Sequence, residues 1–186
     1  MTIRGNRRMT TVDNLIELIR DGRNGEAIQL LNTFPSLATE RSGQTGQLHG
    51  VSPLHWAAHR NATDVCQLLI EMGADVNDSA GDWWLTPLAW GADAASVDCV
   101  EPLLKQGADV NQDAIVGNTA LHAVAMGGSS QGKGDPQAYS STAEMLISYG
   151  ADINKQTIKG RTPFDEAIEN TNDAVANVLR QHGAVQ

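Results

Sequence analysis

One recurring distance constrains this chain more than any other feature. Ser52 to Gly73, Thr86 to Gly107 and Thr162 to Gly183 are the same step of 21 residues. Gly73, Gly107 and Gly150 each open the tripeptide Gly-Ala-Asp. A β-branched residue and Asn follow, as Val76–Asn77, Val110–Asn111 and Ile153–Asn154. Upstream stand four related starts: Ser52-Pro53-Leu54-His55, Thr86-Pro87-Leu88-Ala89, Thr119-Ala120-Leu121-His122 and Thr162-Pro163-Phe164-Asp165. Self-similarity at a fixed period is the mark of one supersecondary unit used several times.

The unit has a direct physical reading. Ser or Thr before Pro is a helix N-cap followed by the first helical position, where the missing N–H of Pro matters least. The Leu–x–x–Ala–Ala stretch from Leu54 to Ala58 predicts a short helix with small residues on one side. Val65, Cys66, Leu68, Leu69 and Met72 fall at helical spacing and predict a second helix. The glycine after it predicts a left-handed helix end, and Asp–β-branched–Asn an extended turn to the next unit. A single pair cannot bury its own apolar face, so the units must stack.

The words Ser-Pro-Leu-His-Trp-Ala-Ala and Gly-Ala-Asp-Val-Asn resemble ankyrin repeats, with direct coverage from Gly50 to Ala184. Thr11 to Ala38 fits a degenerate first repeat, with Leu15, Ile16, Leu18 and Ile19 on one helix and Ala27, Ile28, Leu30 and Leu31 on the other. The expected fold is an all-α ankyrin-repeat solenoid of five helix pairs with short β-turn connections. Its repeats fall at 11–47 (cap), 48–81, 82–114, 115–157 and 158–186 (cap), behind a basic tail at 1–10. Arg180 stands where Ile70, Leu104 and Ile147 stand in the other units, and a charge there suits an outer face that meets water. The resemblance also implies that His55 and His122 tie neighbouring turns together by hydrogen bonds.

Composition narrows the function. Hydrophobic residues make up 41% and charged residues 19%, the balance of a folded chain. A net charge of −9 argues against nucleic acid, which needs a basic face, and favours a basic or neutral partner. Cys66 and Cys99 lie in apolar helical segments and read as unpaired core residues in a reducing compartment. The polar start Met1–Asn14 has no apolar stretch of a signal peptide, and no run reaches a membrane span, so a cytoplasmic monomer is expected. No His or Cys pair has zinc-like spacing, no catalytic triad is recognisable, and no cofactor or metal is expected.

The repeat breaks in several places. The unit from Thr119 to Gly150 is ten residues longer than the others. The extra residues lie within Gly127–Ser141, read as a flexible polar loop. Gly127, Gly132 and Lys133 have phosphate-loop spacing, but Gly134 stands where Ser or Thr should be, and a helix precedes them in place of a strand. A longer turn contains Arg41–Gln47, and Pro102 falls inside a second helix, where it should remove one backbone hydrogen bond and bend the helix.

The resemblance implies protein binding through the turn tips and the concave face of the first helices. Equivalent positions there are Trp56, Trp90, Ala123 and Glu166, then His59, Asp93, Met126 and Glu169. The turns add Asp82, Trp83, Trp84, Leu85, Ile115, Val116 and Asn118. The partner-binding candidates are Trp56, His59, Asp82, Trp83, Trp84, Trp90, Asp93, Ile115 and Met126. Four of the eight aromatics are Trp, a residue enriched at interface hot spots. The expected function is a non-catalytic adaptor or regulator. The alternatives are ligand or nucleotide binding on the inserted loop, and self-association.

Overall fold

The four Ser or Thr helix starts that the sequence predicts are all occupied as N-caps. In the computed structural model, which describes residues 11–43, 50–80, 85–127 and 134–185, Ser52, Thr86, Thr119 and Thr162 sit in extended conformation as N-caps. They open α3 (Pro53–His59), α5 (Pro87–Asp93), α7 (Ala120–Met126) and α9 (Pro163–Glu169). The second helices are α4 (Thr63–Glu71), α6 (Val97–Lys105), α8 (Pro136–Ser148) and α10 (Asp173–Gln181). Before them lie α1 (Val12–Arg20), α2 (Asn24–Thr33) and a 3-10 turn, Pro35–Ala38. Among the described residues there is no strand, only an isolated bridge between Ala80 and Leu85.

The helices form two layers. In one, α3 packs between α1 and α5, and α7 between α5 and α9; in the other, α4, α6 and α8 follow α2 and lead to α10. Equivalent positions carry the core between the layers. Leu54, Leu88, Leu121 and Phe164 are buried, as are Leu69, Leu103, Leu146 and Leu179. Truncating any of these leucines to alanine removes about 2–5 kcal/mol, since the hole can only partly collapse. Gly91 shows how close the first helices come: a Cβ there would lie 3.2 Å from Val100 Cγ2 and 3.5 Å from the Ala58 methyl. Gly73, Gly107, Gly150 and Gly183 follow the second helices with φ between +86° and +89°, the left-handed end expected of them.

Two side-chain ties repeat along the stack. Nδ1 of His55 accepts from the Ser52 backbone N–H (3.3 Å), while Nε2 donates to the Leu85 carbonyl of the next unit (3.0 Å). His122 does the same with Thr119 (3.2 Å) and Arg161 (3.2 Å). Burial holds both imidazoles neutral, and that of His55 is pushed down to about 4 against the opposing effect of the Leu85 carbonyl. The asparagines join successive turns on the other side. Asn77 takes the Asp109 N–H (2.7 Å) and donates to Gly107 (3.2 Å); Asn111 takes the Asp152 N–H (2.8 Å) and donates to Gly150 (3.0 Å).

One departure from the sequence reading stands out. The insertion is not all loop: Pro136–Ser141 is the start of α8, which has 13 residues where α4, α6 and α10 have nine. Asp135 caps it through the Gln137 N–H (2.9 Å), and Tyr139 is buried with its hydroxyl donating to the Asp93 carbonyl (3.3 Å). A helix that covers an aromatic ring is favoured over a solvated loop. Pro102 lies within α6, where the sequence places it, and α6 has nine residues like α4 and α10. The turn after the first pair is anchored at its base, where Ser42 and Val51 share a backbone hydrogen bond of 2.9 Å and Arg41 pairs with buried Asp78. The expected basic tail at 1–10 lies outside the described residues.

Candidate functional site

Five of the nine candidate residues meet in one cavity. Trp56, His59, Trp90, Asp93 and Met126 line a space of about 640 Å³ with Leu85, Ala89, Ala114, Val116, Asn118 and Ala123. Its wall is the open side of α3, α5 and α7, and its rim is formed by the turns before α5 and α7. The repeat accounts for the convergence: equivalent positions on parallel neighbouring helices point the same way. Ile115 lies outside the cavity wall, on the tip of the turn before α7, and is 53% exposed. Asp82, Trp83 and Trp84 lie outside the described residues, as do Gly132 and Lys133 of the phosphate-loop spacing.

The aromatic rings are arranged edge to face. Trp56 and Trp90 lie 5.2 Å apart at 83°, and His59 packs against both at 5.8 and 5.9 Å. Such geometry sets the positive edge of one ring against the negative face of another. The guanidinium of Arg20, from α1, sits 4.8 Å above the Trp56 ring. Trp56 Nε1 and His59 Nδ1 are buried without a hydrogen-bond partner among the described residues, unmade bonds of a kind that clusters at functional positions.

Electrostatics divide the groove. Asp93 ends α5 and is half-buried, and desolvation raises its carboxyl above the usual range. Its carboxylate makes no hydrogen bond or ion pair among the described residues. Burial, with Arg60 nearby, lowers His59, so the imidazole is neutral near pH 7. Beyond Met126 the groove continues into a second space of about 440 Å³ lined by Ile158, Arg161, Glu166 and Glu169. There both carboxylates are paired: Arg161 Nε donates to Glu166 at 2.7 Å, and the same guanidinium holds Glu169, while Lys159 on the same wall forms no ion pair among the described residues.

The sequence reading missed two residues. Ile158 occupies the register of Ile115 in the following turn, is 74% exposed, and donates its N–H to the Val116 carbonyl (3.1 Å). Counting four residues back from Thr162 would have found it. Tyr139 could have been found from Asp135–Pro136, the same cap-and-proline pair that starts other helices.

Helix pairs stacked in two layers, with a groove along the shorter helices, define a helical-repeat solenoid. The chain belongs to the ankyrin-repeat family: the family model for ankyrin repeats, in three copies, matches residues 15–114 and 94–186. Ankyrin repeats are generally protein-interaction modules. The chain is also similar to a probable E3 ubiquitin-protein ligase, XBOS33, of Oryza sativa subsp. japonica, at 45% identity over 65 residues. That stretch is 35% of this chain and 12% of the rice protein.

Proposed function

We propose that the chain is a non-catalytic interaction module that holds a partner protein in the groove of α3, α5 and α7, with the turn tips at Ile115 and Ile158 as its rim. The single observation that carries this reading is the open cavity of about 640 Å³, walled by two Trp, Met126, Leu85 and Val116. An open cavity of this volume, lined mainly by apolar side chains with a few polar groups, is of the kind that receives a ligand or a partner's side chain. The ligase activity in the name of the rice relative is not carried over, because the match spans a small part of that protein. Cys66 and Cys99, both buried free thiols, support a reducing compartment such as the cytoplasm.

The test is capture of a partner by the chain and by three variants shown to be folded by circular dichroism. Met126→Glu and Trp90→Ala should lose the partner, and Gln67→Arg, on the exposed side of α4, should keep it. Retention by both groove variants overturns the reading.

A further inference from the structure

Resting on that reading, we infer that the cavity receives one positively charged side chain of the partner, a lysine or arginine, with its stem against Trp90 and Met126 and its cationic head at Asp93.

Three observations carry this. Among the described residues that line the cavity, Asp93 bears the single full charge, and no described residue pairs with its carboxylate. The two carboxylates further along the groove, Glu166 and Glu169, are both held by Arg161, so each of those acids has a cation from the chain itself, and Asp93 has none among the described residues. Asp93 also occupies an unfavourable place for stability. It is desolvated, and it ends α5, where the negative pole of the helix repels an anion. The corresponding residue in α3 is His59 and in α7 Met126, neither of which carries that penalty. An acid kept where burial and the helix dipole both oppose it is complementary to a cation supplied from outside.

The rest of the cavity matches the stem of such a side chain. Lys and Arg carry three or four methylenes that cover apolar surface while the head reaches a polar partner. The wall offers Trp90, Met126, Val116 and Ala123 for the stem, and aromatic rings attract the cationic head as well. Arg20 already rests on Trp56 in this way. The net charge of −9 acts in the same direction, steering a basic segment towards the chain.

The test uses the intact chain labelled with ¹⁵N at its indoles, the signals assigned by single Trp→Phe replacements. It is titrated with n-butylguanidinium, n-butylammonium and the neutral isostere N-butylurea. A cation should shift the Trp90 signal saturably, and N-butylurea should require about tenfold more, the factor expected of one charge-assisted contact. Asp93→Asn should abolish the difference while melting no lower than the parent chain, because it removes a desolvated charge. The stronger of the two cations tells arginine from lysine. Equal response to all three probes, no saturation, or a cation preference that survives Asp93→Asn overturns the inference. The capture experiment separates the two readings: if Met126→Glu loses the partner and Asp93→Asn keeps it fully, the groove binds but its occupant is not cationic.

Discussion

Trp56 and Trp90 meet edge to face across the junction of two helix pairs, ring centres 5.2 Å apart and planes at 83°. They come from the same position of consecutive units, so the contact measures how one repeat docks on the next at the wall of the groove. A double-mutant cycle of Trp56→Leu and Trp90→Leu, which removes the rings, should show a coupling of about 0.5–1.5 kcal/mol in chemical denaturation. Additive effects would mean that the rings merely share a cavity.

Acid should weaken the stack through its histidines. His55 titrates at its ordinary 6.5 in the unfolded chain and at about 4 when folded, so between these values the unfolded state binds more protons. Its stabilisation is complete above pH 6.5 and fades as pH falls towards 4, a loss of up to about 3 kcal/mol. His122 is lowered too and acts with the same sign. Denaturation midpoints measured from pH 7 to pH 4.5 should fall less steeply in His55→Ala than in the parent. Identical slopes would contradict the assignment.

The sequence carried the architecture because each unit repeats the same caps, core leucines and closing glycine, and these are local rules. The positions of Trp56, His59, Trp90, Asp93 and Met126 on one wall followed from the same register. What the pattern hid depends on contacts between units. Tyr139 sits in a stretch rich in Gly, Ser and Gln, and its contact with the carbonyl end of α5 joins the Asp135 cap in holding that stretch helical. The unpaired state of Asp93 likewise emerges from what its neighbours lack.

Tyr139 should hold the extra turn of α8 in place. Tyr139→Ala should destabilise by about 3–5 kcal/mol, as for loss of a buried aromatic, and raise amide exchange across 136–141. Tyr139→Phe, which gives up only the 3.3 Å bond to Asp93, should cost about 1 kcal/mol. Unchanged exchange in Tyr139→Ala would show that the turn stands without the ring.

Thr171 links α9 and α10 with φ of +54°, a region in which a β-branched residue is strained. Asn61 fills the equivalent place between α3 and α4 at +50°. Thr171 is exposed, so little packing is lost on replacing it. Thr171→Gly should stabilise by about 1 kcal/mol, read as a rise in melting temperature. A fall would show that the threonine hydroxyl, which donates to the Asn170 carbonyl at 2.7 Å, outweighs the strain.

Hydroxyl-radical footprinting with and without a captured partner tests the groove most directly. Met126, Trp56 and Trp90 line it, whereas Met72 and Met145 belong to the layer of second helices and lie outside the cavity. The account predicts that the partner protects Met126 and the two tryptophans and leaves Met72 and Met145 as reactive as before. Protection of Met72 and Met145 with Met126 unprotected would place the partner on the opposite layer and contradict it.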